Sequence, residues 1–109
     1  MKLAIRFKAT DRSASLIEYV RQRVAGLAAR HVDNLTVRFE DVNGPKGGLD
    51  KRCLISMRGS FGTNVVQTLD AEFFVGVERA LELCERSLER SSGTRESLAV
   101  GSAFAVVVR

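Results

Sequence analysis

Residues 35–58, LTVRFEDVNGPKGGLDKRCLISMR, consist of two alternating runs separated by a glycine-rich connection. Each run has an apolar side chain at every second position, which is the period of a strand with one buried face. These apolar positions are Leu35, Val37 and Phe39 in the first run and Cys53, Ile55 and Met57 in the second. The connection carries Asn-Gly-Pro and Gly-Gly, which favour turns. The stretch therefore predicts two neighbouring strands joined by a long hairpin.

The flanking sequence supplies the remaining elements. Residues 2–8 alternate as a strand, and a short hairpin at 60–63 leads into a further strand at 64–69. Apolar residues spaced three and four apart predict one helix from about Ser13 to Ala29 and a second, capped by Asp70, that ends near Arg90 or Ser91. The order is βαβββα. We expect a two-layer α+β domain over 1–91, with a four-stranded sheet and both helices on one face, followed by a tail of unknown role over 92–109.

The other face of this sheet is predicted to meet water. The alternation assigns a cluster of cations to it, interrupted by one acid and two hydroxyl residues: Lys2, Arg6, Lys8, Arg38, Arg52 and Arg58, with Glu40, Thr36 and Thr68. The whole chain has 17 Lys and Arg against 13 Asp and Glu, a net charge of +4. This basic bias favours an anionic partner.

This chain lacks the residues that several classes of protein require. The chain's 109 residues suffice for one domain. Cys53 and Cys84 are too few and too far apart for a disulfide scaffold or a zinc site, and a single His31 leaves no parts for a histidine-based triad. Both cysteines fall on apolar faces, so we predict packing residues with reduced thiols. The longest apolar stretch, 98–108, is too short to span a membrane. We expect a cytoplasmic protein that is not an enzyme. We also expect no cofactor, no bound metal, no membrane association and no small-molecule substrate.

The glycine-rich connection has two interpretations. A Walker phosphate loop would continue with Gly-Lys-Ser/Thr into a helix, whereas Gly48 is followed by Leu49-Asp50 and a strand. The hairpin instead offers three cations to an RNA backbone: Lys46, Lys51 and Arg52. The alternative is a solvated turn in which acidic and amide side chains cap the turn's own backbone: Asp41, Asn43 and Asp50.

Residues 1 to about 91 resemble the ribosome hibernation-promoting factor and ribosome-associated inhibitor family. The resemblance lies in the element order and in three segments: LIEYVRQRV at 16–24, DVNGPKGGLDKRC at 41–53 and AEFFVGVERALELCERSLER at 71–90. The resemblance implies a small bacterial protein, with a fold similar to a double-stranded-RNA-binding domain, that docks on the small ribosomal subunit. There it would contact ribosomal RNA, occupy the decoding region and silence idle ribosomes during stress or stationary phase. The tail does not resemble the dimerisation domain of the long members, so we expect a short form that is monomeric off the ribosome.

The resemblance also implies RNA contacts at matching basic positions: Arg23, Arg86 and Arg90. Arg79 shares a helical stripe with Arg86 and Arg90. The competing interpretation for this stripe is neutralisation by Glu82, Glu85 and Glu89. The sequence departs from the family at Gly26 and Leu83, where relatives often have lysines. These departures keep a second function open, in which an RNA-binding-like domain serves as a basic protein–protein interaction module.

Overall fold

The computed structural model describes residues 1–27, 30–42 and 49–93, with side chains as far as Glu89. Within these residues the chain forms the predicted βαβββα order, namely β1 Lys2–Lys8, α1 Ala14–Val24, β2 Val32–Asp41, β3 Lys51–Gly59, β4 Gly62–Asp70 and α2 Phe73–Gly93. No helix in this part of the chain is long and apolar enough to cross a membrane.

The four strands form one sheet in the order β1-β2-β3-β4. β1 pairs with β2 in parallel, and α1 provides the crossover that a parallel pair needs. The other two pairs are antiparallel. Between β3 and β4, Gly59 pairs with Gly62 around a two-residue turn. Gly62 has φ +105°, a conformation that glycine adopts without steric cost.

Both helices cover the same face of the sheet, as predicted, because their apolar stripes join one core with the alternating residues of the strands. Phe39 lies near the centre of this core, with its ring centroid 5.2 Å from that of Phe7 and 5.3 Å from that of Phe73. The remaining core side chains with less than 2% exposure include Val20, Val24, Val37, Ile55, Met57, Val77 and Leu81. The opposite face of the sheet has no helix over it within the described residues, so most of its side chains meet solvent.

The first helix is shorter than predicted. Ser13 caps it by accepting a hydrogen bond from Leu16 N at 3.2 Å. The helix ends at Val24 rather than near Ala29, and the Leu27 amide donates to the Val24 carbonyl at 2.9 Å. This is the tightened three-residue step common at helix ends. Leu27 remains 4% exposed, so it still contributes to the core that its spacing predicted.

Two predictions around β4 were wrong. Thr68 was expected on the outer face but is fully buried, and its hydroxyl donates to the Gly76 carbonyl at 2.9 Å. Asn64, on the same side, donates to the Ser87 hydroxyl at 2.9 Å. Because polar residues occur on both faces of β4, the hydrophobic alternation could not identify the buried face. Asp70 does not cap α2, which begins at Phe73; its carboxylate accepts from the Ala71 amide at 2.8 Å.

Candidate nucleic-acid interface

The strand register places the predicted cations on the solvent-facing side of the sheet, here called the open face. Across the four strands, its residues form four rows: Lys2, Asn34, Arg58 and Thr63; Ala4, Thr36, Ser56 and Val65; Arg6, Arg38, Leu54 and Gln67; Lys8, Glu40, Arg52 and Leu69. All six cations assigned to this face by the alternation therefore lie on it, with Glu40 as its single carboxylate.

Glu40 lies between two of these cations. Its carboxylate is 2.6 Å from Arg52 Nη2 and 3.7 Å from Lys8 Nζ. The hydrogen bond from Arg52 and the attraction of Arg52, Lys8 and Arg38 together hold the pKa of Glu40 below its ordinary value, against an opposing effect of burial. Glu40 is therefore ionised at neutral pH and offsets one positive charge of its row.

The charge of the chain is distributed unevenly between this face and the rest. Six cations and one carboxylate give the open face a formal charge of +5, and the other described side chains, seven cations and eleven carboxylates, sum to −4. Among the described residues, the positive charge is therefore concentrated on one surface. Such a one-sided charge attracts polyanions and orients them toward the sheet.

Two arginines of the open face, on the edge strand β1 and on β2, are direct cross-strand neighbours. Arg6 is paired in register with Arg38, and adjacent strands are only about 4.8 Å apart. Among the described residues, no carboxylate lies within ion-pair distance of either guanidinium. Like charges directly opposite each other destabilise a sheet. An anionic ligand would relieve this repulsion.

A shallow depression of about 260 Å³ lies at another part of the open face. Its lining combines a guanidinium with hydroxyl and amide groups: Asn34, Thr36, Ser56, Arg58 and Thr63. Every one of these side chains can donate a hydrogen bond, and none is acidic. The depression therefore suits a phosphate group better than a cation.

In the helix layer, the predicted RNA contact Arg23 is already engaged by carboxylates of the protein. Arg23 bridges the two helices, with Nε 3.3 Å from Glu78 Oε1 and Nη1 3.1 Å from Glu85 Oε2. The Tyr19 hydroxyl also donates to Glu78. A phosphate that contacts Arg23 would have to compete with two carboxylates.

The other helix candidates differ in their availability. Arg79 Nη1 lies 3.1 Å from Asp70 Oδ2, so its partner is the end of β4 rather than the glutamates of its own helix. Arg86 is exposed, and no carboxylate of the described residues lies within ion-pair distance of it. The side chain of Arg90 lies outside the described residues.

In the hairpin, Lys51 is held by two acids. Its Nζ lies 3.1 Å from both Asp41 Oδ2 and Asp50 Oδ1, and these hydrogen bonds raise the pKa of Lys51. Asp50 is only 1% exposed. Lys46 and most of the connecting loop lie outside the described residues. Of the three hairpin candidates, Arg52 thus stands on the open face, and Lys51 is engaged at the base of the hairpin.

The buried thiols offer no reactive centre. Cys53 and Cys84 have no exposed surface, and burial raises the pKa of both thiols to about 12. Only the thiolate is a strong nucleophile. In the part of the chain that the structure describes, no three His, Cys, Asp or Glu residues are grouped as metal ligands. Both cysteines pack in the core, as their sequence positions predicted.

Solved structures provide the comparison for this geometry. A ribosomal subunit interface protein from Coxiella burnetii superimposes with a TM-score of 0.74 at 14% identity, covering 86% of this chain and 100% of that protein. The chain shares its fold. The crystal structure of the N-terminal domain of Protein Y from Thermus thermophilus gives a TM-score of 0.67 at 17% identity, covering 83% of this chain and 98% of that one. At these identities both comparisons show a shared fold. No protein-family model and no curated protein sequence matches the chain.

The sequence prediction of individual RNA contacts concentrated on the helices and the hairpin. The alternation of β1, β2 and β3 had already indicated a basic outer face, but of its cations only Arg52 was chosen as a candidate. The register was the missing information, because it is the register that makes Arg6 and Arg38 neighbours and places Arg58 beside donor side chains.

Proposed function

We propose that this chain is a ribosome-associated translation inhibitor of the hibernation class. It binds the small ribosomal subunit through ribosomal RNA and silences idle ribosomes by occupying the decoding region, where messenger and transfer RNA would otherwise sit. The observation that carries this proposal is the fold shared with a ribosomal subunit interface protein over that protein's whole length. The localised positive charge of the chain supports it, because RNA is the abundant polyanion of the ribosome.

Inhibition in this proposal involves no chemical step. The domain blocks a channel by its volume, and contacts to phosphates fix its position without reading base sequence. Recognition of a folded RNA then depends on shape and on the placement of cations, as in the recognition of RNA helices by other small domains. The protein acts in the cytoplasm, where ribosomes are found.

Sedimentation with purified small subunits tests the proposal. We expect the chain to travel with the subunit at low salt, to dissociate as salt is raised, and to inhibit translation in a reconstituted extract. Replacing Arg86 and Arg90 together with Glu tests the helix contacts. We expect this variant to lose subunit binding while its circular dichroism stays unchanged.

A basic protein-interaction module is the second candidate. Its support is the engagement of Arg23, Arg79 and Lys51 in internal ion pairs, which leaves fewer of the predicted RNA-binding residues for phosphates. A module of this kind would remain at the top of the gradient when mixed with small subunits. Cosedimentation at physiological salt would therefore exclude it.

A further inference from the structure

The open face has a positive charge and no protein element over it in the described residues. We propose that this face is a second RNA-binding surface, which binds the phosphate backbone of ribosomal RNA in addition to the contacts of the helices. The inference rests on the proposed function for the identity of the RNA. It adds a surface on the other side of the domain, so that both layers of the fold would contact RNA.

The first argument is charge complementarity. The open face has a formal charge of +5, whereas the other described side chains, seven cations and eleven carboxylates, sum to −4. An electrostatic encounter with a polyanion is therefore directed to the sheet. Four of the six cations are arginines, whose planar guanidinium can make two parallel hydrogen bonds to a phosphate.

The second argument is the pairing of Arg6 with Arg38. In a sheet shaped only by stability, one of these positions would be expected to hold a neutral or acidic residue, because opposite charges across strands stabilise and like charges do not. The two guanidinium groups instead stand in adjacent strands without an ion-pair partner among the described residues. A phosphate bound between them would form an ion pair with both and reduce their repulsion.

The third argument is the chemistry of the depression around Arg58. Its lining places a guanidinium among three hydroxyl residues and an amide. Hydroxyl and amide side chains are, with arginine and lysine, the usual partners of nucleic-acid phosphate and sugar oxygens. This site would hold one phosphate while Arg6 and Arg38 hold another.

The composition of the face favours an RNA backbone over both unpaired bases and an acidic protein. Its apolar members are Ala4, Leu54, Val65 and Leu69, and it has no aromatic residue. Stacking of unpaired bases relies on aromatic side chains, and tight protein interfaces are centred on buried aromatic anchors. A flat polar sheet with spaced cations fits the backbone of a structured RNA.

A matched pair of charge variants tests this proposal. Arg6→Gln with Arg58→Gln alters two exposed arginines of the open face, and Arg12→Gln with Arg21→Gln alters two exposed arginines outside it. Both variants lower the net charge equally. The probes are purified small subunits and a fluorescent RNA duplex of about 16 base pairs, the length that a double-stranded-RNA-binding domain spans.

We expect the open-face variant to bind both probes about tenfold or more weakly, with a salt slope reduced by about 1 to 2, and the control to change little. Equal weakening by both variants, or none by the open-face variant, would overturn the inference. If the wild type fails to bind small subunits but binds the duplex through this face, the proposed function fails and the RNA surface stands. If wild type and open-face variant bind subunits equally, only the inference fails.

Glu40→Gln provides a test that misfolding cannot imitate. Removing the single carboxylate raises the charge of the open face by one and frees Arg52 and Lys8, so we expect tighter binding to the duplex, by a few-fold. Weaker or unchanged affinity would contradict the inference. Polyglutamate serves as the acidic-protein probe. If the open face binds polyglutamate but not RNA, the inference is overturned and the partner of this face is an acidic protein.

Discussion

Arg23 Nε lies 3.3 Å from Glu78 Oε1, and this ion pair links α1 to α2 over the core. The same guanidinium reaches Glu85 Oε2 at 3.1 Å, so Arg23 binds two residues of α2 that lie about two turns apart. The side chain of Arg23 is 26% exposed and that of Glu78 is 43% exposed. A residue implied by the resemblance to contact RNA thus also helps to hold the two helices together in the free protein.

A double-mutant cycle with Arg23→Gln and Glu78→Gln measures this link. We expect a coupling free energy of about 0.5 kcal/mol, because both side chains are partly solvated and such pairs contribute little. The coupling should decrease as salt screens the charges. Urea denaturation of the four proteins provides the measurement, and a coupling of zero at low salt would contradict a stabilising link between the helices.

Glycine is required at position 59 for a steric reason. A Cβ added there would clash with the His31 carbonyl oxygen and would lie 2.8 Å from Phe61 Cε2. We expect Gly59→Ala to lower the free energy of unfolding by about 2 kcal/mol, because backbone at the start of β2 must shift to admit the methyl group. Gly26→Ala is the control, since its Cβ would meet nothing within 4 Å. Thermal or urea unfolding should separate the two, and equal stability would contradict the packing described here.

We expect the two buried thiols to react slowly with disulfide reagents. Because burial raises the pKa of Cys53 and Cys84 to about 12, both are almost entirely protonated at pH 8. We expect a disulfide reagent such as DTNB to modify neither thiol quickly in the native protein and to modify both at once in denaturant. The variants Cys53→Ser and Cys84→Ser each retain one thiol and so show which cysteine reacts at which rate. Rapid modification of the native protein would show that the core opens at one of these positions.

We expect wild type and Glu40→Gln to differ in how their stability depends on pH. Its folded-state pKa is lowered from the ordinary 4.5, mainly by the hydrogen bond from Arg52. A lowered pKa stabilises the fold above the unfolded-state pKa, and this contribution is lost as the pH falls through the folded-state value. We therefore expect Glu40→Gln to be less stable than wild type by about 1 kcal/mol at pH 7. The gap should narrow as the pH falls below about 4.5. Urea titrations across this range give the comparison, and a constant gap would indicate that Arg52 does not bind the carboxylate.

The hydrophobic pattern was sufficient to predict the architecture. Strict alternation in 35–40 and 53–58 identified β2 and β3 because one face of each is buried and the other is polar. For β4 the strand was predicted correctly but its buried face was not, because Asn64 and Thr68 are buried and satisfied by Ser87 and Gly76. These partners come from α2, far along the chain, and only the packed structure reveals them. The early end of α1 at Val24 was missed because the core position of Leu27 continues the helical spacing beyond the helix.

The candidate site was harder to predict than the fold. A cation in the sequence does not show whether an acid lies beside it, and the partners of Arg23, Arg79 and Lys51 are set by tertiary contacts and turn geometry. The alternation correctly placed the cations of the open face on one side of the sheet. It could not show that Arg6 and Arg38 are adjacent, since that depends on the parallel register between β1 and β2.

Sedimentation of the intact chain with purified small ribosomal subunits, over a series of salt concentrations, tests the central claim most directly. The account predicts cosedimentation near physiological salt and a linear fall of the logarithm of the association constant with the logarithm of salt, because each phosphate contact releases counterions. A chain that stays at the top of the gradient even at the lowest salt would contradict it.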